Sequence, residues 1–272
     1  PLNGPEVSDP RRPTYKENVY SFQYGCVKMI VFNNNYWMSN QPMLYGGSPE
    51  GYLMEDQLSW IGAELEKAEA DPSVRYVFLM AQEPVFPNGG HLDDSMWYLG
   101  DNNMRAGVFK DGKLVLEKRG IVEVRNEFLT MVSSSRKVAA VLGADEHAYH
   151  RLLVTKDVPV GVLEKDDKDK NGKIDLDKKE TCSPFPGLKF STWFLVNGGG
   201  GAPFYAEEDT PWNSYWTRKA DPAERRRGFY YSSQENVLMI EASANKISVE
   251  VYNLHGELID QVDDLLGSAG RR

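Results

Sequence analysis

Four histidines, 40 acidic residues and one calcium-loop pattern carry most of the chemistry that this 272-residue sequence offers. His147 follows an apolar run over residues 138–142 that reads as a buried strand. A polar ring at the carboxyl end of such a strand faces a crevice where a metal ion or substrate would sit. The alternative is a histidine that is only hydrogen-bonded there. Asp145 and Glu146 share its turn. Asp145 is read as a ligand or a turn former, and Glu146 as a solvent-facing or supporting neighbour. His91 lies in the loop Pro87-Asn-Gly-Gly-His-Leu-Asp-Asp94. Protonated, it could stabilise a phosphate or give a proton to a leaving alkoxide. Neutral, it could ligate metal, and at its plainest it holds Asp93 or Asp94. His150 follows a tyrosine on a strand and reads as structural, while His255 sits in a Leu-His-Gly surface turn.

A second pattern runs from Asp167 to Asp175. Asp167, Asp169, Asn171, Lys173 through its carbonyl, and Asp175 stand at calcium-loop spacing, with Gly172 at the sharp turn. Lys178 stands where that loop normally carries a bidentate Glu, and no amphipathic helix precedes it. The expectation is an isolated calcium staple over 167–178, or a solvated charge run over 164–180. The run Asn197, Gly198, Gly199, Gly200, Gly201 lacks the Gly-Lys-Ser/Thr of a phosphate loop. It reads as a tight turn passing close to the crevice, near substrate. Arg218, Lys219 and residues 225–227 make a basic patch, read as a surface helix end or loop. Aromatic residues Tyr36, Trp37, Trp97, Tyr98, Trp212 and Trp216 fall in loops, as binding surfaces or as caps on the core.

These groups need a framework. A composition that is 41% hydrophobic and 26% charged is that of an ordinary globular chain. A net charge of −9 argues against nucleic acid as a partner, since holding phosphate backbones takes a basic surplus. No stretch approaches the roughly 18–20 apolar residues of a membrane span. Cys26 and Cys182 belong to no C-x-x-C pair and are left as a possible disulfide or two separate thiols. Residues 1–18 form a Pro-rich lead without an initiator Met, expected to be processed or cut from something longer. A single domain is expected over 19–265. It starts with a hairpin turning at Gly25, whose second strand is buried on both faces. A helix through Leu58, Ile61, Leu65 and Ala68 follows, with Asp56 as N-cap, then a strand over 74–80. Val124, Phe128 and Val132 mark a second helix before the strand at 138–142. Strand candidates at 149–155, 191–196, 228–232, 237–241 and 247–253, with no strong helix between them, read as a separate antiparallel sheet beside the first. The class is α/β.

Four segments in order, Tyr20-Ser-Phe-Gln-Tyr-Gly, Gln57-Leu-Ser-Trp, the strand ending in Glu83-Pro84, and Val141-Leu-Gly-Ala-Asp-Glu-His-Ala-Tyr149, resemble the metallophosphoesterase (calcineurin-like) superfamily. The resemblance spans roughly residues 15–205 and is greatest to secreted or cell-surface bacterial members, in which a run like 197–203 follows the last core strands. It implies a two-sheet β-sandwich flanked by helices, with two metal ions at the carboxyl ends of strands. It also implies hydrolysis of a phosphomonoester or phosphodiester, and an extracellular, cell-surface or periplasmic location. Gln82 stands where the family has a strand-end His, and Asp145 and His147 where it has the two histidines of Gly-His-x-His. The resemblance therefore implies Gln82, Asp145 and His147 as metal ligands, with His91 as the candidate acid. The family's earlier motifs, Asp-x-His, Gly-Asp and Gly-Asn-His-Asp/Glu, do not occur in these residues. The chain thus resembles the C-terminal portion of such a protein, with the N-terminal part of the fold absent and its ligands expected from a preceding segment or companion chain. Oxygen donors in place of imidazoles favour harder ions, and Mn, Mg, Fe and Zn all stay open. The competing expectation is a catalytically silent extracellular scaffold or binding protein that keeps the fold and a calcium staple.

Overall fold

In the computed structural model, which describes residues 2–7, 9–176 and 181–271, the chain doubles back at Gly25, whose φ of 57° suits glycine. Strand β1 (Tyr20–Tyr24) pairs antiparallel with β2 (Val27–Val31). Only Ile30 of β2 is fully buried, not both faces as expected, because β2 lies one strand from the sheet edge and α2 covers one side. A single turn, α1 (Pro42–Tyr45), precedes the long helix α2 (Glu55–Ala70). Leu58, Ile61, Leu65 and Ala68 of α2 all face the core, as their spacing requires. Met54, not Asp56, is the N-cap; Asp56 lies inside the first turn, where it accepts from the Tyr15 hydroxyl at 2.6 Å and pairs with Arg12 at 2.8 Å. Those contacts, with Tyr15 fully buried against Tyr36, pack the Pro-rich lead onto the domain.

Next come β3 (Tyr76–Met80) and a hairpin of β4 (Gly107–Lys110) and β5 (Lys113–Leu116) inside what reads as loop. Asp111 and Gly112 both take positive φ at its turn, the Asp-Gly geometry that favours tight hairpins. Helix α3 (Ile121–Ser134) leads into β6 (Val138–Gly143), followed by β7 (Tyr149–Val154), the turn α4 (Leu163–Asp166) and β8 (Thr192–Asn197). Two short helices, α5 (Pro211–Thr217) and α6 (Pro222–Gly228), stand where no strong helix was expected. Strands β9 (Phe229–Ser232), β10 (Asn236–Ala242), β11 (Ile247–Asn253) and β12 (Leu258–Val262) and the turn α7 (Leu265–Ser268) complete the described chain.

The large sheet has seven strands in the order β1-β2-β3-β6-β8-β7-β9, and β10-β11-β12 form a second, antiparallel sheet. This corrects the expected division of strands: β7, β8 and β9 join the first sheet, because β8 pairs in parallel with β6 and antiparallel with β7. Turn α7 touches both β6 and β11 and links the two sheets. Mixed α/β architecture is therefore established, with one large and two small sheets flanked by helices, an arrangement compatible with a sandwich. Tyr36, Trp97, Trp212 and Trp216 are buried caps on the core and not an exposed surface. Cys26 and Cys182 are not joined by a disulfide. No helix of the described residues is long and apolar enough to cross a membrane.

Strands β2, β3, β6 and β8 run parallel, so β3, β6 and β8 release the chain at one edge. Behind that sheet, Glu64 of α2 is 3% exposed and accepts from Lys28 at 2.7 Å, Lys67 at 2.6 Å and Ser21 at 2.6 Å. Burial alone would lift its carboxyl, but those three hydrogen bonds overcome it and hold the group down at about 2. A depressed carboxyl stabilises the fold above its ordinary value of 4.5, and the contribution is lost as pH falls toward 2. Glu64→Ala is expected to cost about 3 kcal/mol at pH 7 by urea unfolding, with the gap to wild type closing below pH 4. A variant as stable as wild type at pH 7 would show the pair to be neutral.

Candidate metal centre

Beyond the end of β3, Gln82 and Glu83 leave the sheet beside the turn that follows β6. Glu83 is 1% exposed. Asn34 clamps its backbone, accepting from the Glu83 amide at 3.2 Å and donating to its carbonyl at 3.0 Å. The Glu83 carboxyl accepts from Asn35 at 2.8 Å and from the Ser95 hydroxyl at 3.1 Å. Asp145, at a left-handed φ of 63°, accepts from the Gln82 amide at 3.3 Å and lies 3.5 Å from His91 Nε2. The other ring nitrogen, Nδ1, is 3.1 Å from Asp94. One donor atom each from Glu83, His91 and Asp145 fall within 4.8 Å of one another.

The electrostatics of this group are unbalanced. Burial, then repulsion from Asp145, pushes the Glu83 carboxyl up to about 8. Burial likewise raises Glu50 and Asp94, with Asp145 adding to both. For His91, burial pulls down, but Asp94 and Asp145 outweigh it and the net shift is upward. Four carboxyls therefore crowd one imidazole. A divalent cation among Glu83, Asp145 and His91 relieves that repulsion, and two carboxylates with one imidazole are a donor set that fits such an ion.

A buried clasp brings the pieces together. Glu146 is fully buried, contrary to a solvent-facing reading. Its carboxylate accepts from the backbone amides of Asn88 at 2.7 Å and Gly89 at 2.5 Å, and its other oxygen lies 2.5 Å from His150 Nε2. His150 is thus structural as expected, stacked on Tyr231. Asn88 in turn accepts from Trp212 at 3.1 Å and Thr210 at 3.3 Å, tying the start of α5 to the same point. The loop that carries His91 is pinned by these bonds against the turn that carries Asp145.

Of the ligand positions implied by the resemblance, Gln82 and Asp145 meet. His147 is not among the three gathered donors: its Nδ1 lies 2.8 Å from the Pro203 carbonyl and its ring stacks on Tyr205 at 4.4 Å. Tyr205 also meets His91 edge-on at 5.6 Å, so it sits between the two imidazoles. Gly198 passes so close to this turn that a Cβ would lie 2.1 Å from the Glu146 carbonyl, and Gly199 would meet Asn236. Asn197 ends β8 with its side-chain oxygen buried and without a hydrogen bond. Glu83 carries no role in the sequence reading. Its signal is a carboxylate three residues beyond the last residue of a buried strand.

At the calcium-loop pattern, donors from Asp167, Asp169 and Asp175 lie within 4.8 Å of one another. Asp167 accepts from the amides of Asn171 and Gly172, Asp175 from that of Lys168, and Asn171 from that of Lys173. Position Lys178 lies outside the described residues.

No family model matches the chain, and no curated protein does. Two solved structures resemble it weakly. PhoD is matched over 92% of this chain and 45% of its own, at 13% identity and a TM-score of 0.37. A "Putative enoyl-CoA hydratase/carnithine racemase" from Magnetospirillum magneticum AMB-1 is matched over 47% of this chain and 38% of its own, at 19% identity and a TM-score of 0.22. The chain spans less than half the length of either, and at these scores neither fixes the fold.

A carboxyl raised from 4.5 to about 8 gives a definite sign. The folded metal-free chain keeps a proton that the unfolded chain gives up, so its stability is full below about 4.5 and falls as pH climbs through 8. Metal must displace that proton. Calorimetry with Mn²⁺ is therefore expected to show affinity rising from pH 6 to 8.5 and roughly one to two protons released per ion at pH 7, from Glu83 and His91 together, with binding lost in Glu83→Gln. Affinity that is flat with pH would place the ion elsewhere.

Proposed function

We propose that the chain supplies the metal-holding part of a hydrolase acting on phosphoesters. The observation that carries this reading is the convergence of Glu83, His91 and Asp145 at the carboxyl ends of adjacent parallel strands, where α/β sheets bind ligands. Glu83 and Asp145 would hold a divalent cation with His91, and such an ion supplies Lewis-acid polarisation of a phosphoryl oxygen and a hydroxide at neutral pH. A phosphoester could not approach four carboxyls unaided, so the same ion would make the crevice acceptable to an anion. His91, oriented by Asp94, is the group placed to hold a proton for a leaving alkoxide when it is not itself a ligand. Gln82 keeps Asp145 in place. Three donors leave coordination positions open, which a preceding segment or companion chain would fill.

The second reading is a silent scaffold, stapled by calcium outside the cell. What favours it is the acidic group at Asp167, Asp169 and Asp175, which docks on the core through Asn103 and the Lys173–Asp101 pair.

The two separate in one assay. With Mn²⁺, bis(p-nitrophenyl) phosphate or p-nitrophenyl phosphate should be hydrolysed, and Glu83→Gln and Asp145→Asn should each lower kcat/KM by roughly a hundredfold or more. If Mn²⁺ binds at Glu83 and neither ester turns over, with or without any companion chain that co-purifies, the scaffold reading replaces the enzyme.

A further inference from the structure

A cleft of about 350 Å³ opens between the strap at residues 39–50 and the segment 98–116, at the lower end of the size range of small-molecule sites. Its walls include Met43, Met104 and Leu116, and methionine side chains adapt to irregular ligands. Glu50 and Tyr98 line the same cleft, and both belong electrostatically to the metal centre. The Glu50 carboxyl feels Asp94, Asp145 and His91, and the Tyr98 phenol feels Asp94 and Glu83. Tyr98 is the wall they share, since its amide donates to the Asp94 carbonyl at 3.1 Å and Asp94 in turn lies 3.1 Å from His91. Arg105 is the cleft's cationic residue, half-buried and without a hydrogen bond or ion pair among the described residues. An unpaired guanidinium is notable in a chain of net charge −9.

Two further observations point the same way. Ser95, Tyr98 and Leu99 all hold positive φ values near 50°. Such geometry is unfavourable for residues other than glycine and gathers at ligand clamps. Around the mouth, Met43, Leu44, Tyr45 and Leu99 are each more than half exposed. Neighbouring large side chains left this open to water mark a surface built to be covered.

We propose that this cleft holds the organic portion of the substrate: an apolar, aromatic-sized group that carries its own negative charge and lies against Arg105, while the reacting ester reaches the Glu83–His91–Asp145 centre past Glu50. The inference rests on the phosphoester reading for what happens at the centre, but the cleft itself is tested without metal. The recognition is simple: methionine and leucine take the ring, and one guanidinium takes the distal anion.

The probe is 1-naphthalenesulfonate, titrated by calorimetry in metal-free buffer. Wild type is expected to bind it, Leu116→Asp to abolish binding, and Arg105→Ala to weaken it about tenfold. Val237→Asp, on the exposed side of β10, controls for general surface charge and should leave the affinity unchanged. Leu116 is itself 38% exposed on a hairpin, so its variant is expected to fold, with thermal melting as the check. Glu83→Gln should keep sulfonate binding while losing Mn²⁺, so failure of the metal reading leaves this measurement intact. Continuity is read with 1-naphthyl phosphate in the presence of Mn²⁺, which Leu116→Asp should bind more weakly than wild type. Sulfonate binding that is absent, or equal in wild type, Leu116→Asp and Arg105→Ala, overturns the proposal. So does equal affinity of wild type and Leu116→Asp for 1-naphthyl phosphate in Mn²⁺.

Discussion

Burying a carboxylate is expensive unless hydrogen bonds replace the lost water, and Glu146 is buried completely. Two backbone amides and an imidazole provide that replacement, at 2.5–2.7 Å. The amides belong to the loop of residues 87–94, and the carboxylate to the turn after β6. Neither segment has regular structure, so neither would be placed by its own backbone ladder. Satisfying Glu146 obliges the His91 loop to lie against Asp145, and Asn88 then collects Trp212 and Thr210. Donor groups 54 residues apart in sequence, His91 and Asp145, meet as a consequence.

The large sheet supplies the other half of the constraint. Parallel strands place their carboxyl ends together, and here β3 and β6 deliver Glu83 and Asp145 from adjacent positions. Glu83 has little freedom: Asn34 fixes its backbone, and Asn35 and Ser95 fix its carboxyl. What the fold does not do is relieve the charge it has gathered. Glu50, Glu83 and Asp94 are all raised by burial and by Asp145, a state a cation would relax. The fold thereby stores repulsion at one spot and leaves the ion to cancel it.

Much of this framework was legible in the residues. Leu58, Ile61, Leu65 and Ala68 mark α2 by period, and the apolar runs at 74–80 and 138–142 mark β3 and β6, because local spacing determines both. Pairing is not local. Residues 191–196 read as a strand, but nothing in them says that β8 adds in parallel to β6, so the division into sheets is not legible there. Asp111-Gly112 was a readable hairpin signal, overlooked inside a long polar loop. At the site, Asp145 and Gln82 lie where strand ends put them. His147 is close in sequence yet turned onto Pro203 by a hydrogen bond and Tyr205 stacking, which no spacing rule reveals. Whether Glu146 faces solvent or supports its neighbours is open in the sequence because Asn88 and Gly89, which it holds, lie about 60 residues earlier.

The most direct measurement is an anomalous difference map from a crystal soaked in Mn²⁺ at pH 8. The account predicts a peak about 2.1–2.3 Å from oxygens of Glu83 and Asp145 and from a His91 nitrogen. A map with manganese only at residues 167–175, or with none at the strand ends while the three side chains keep their positions, would contradict it.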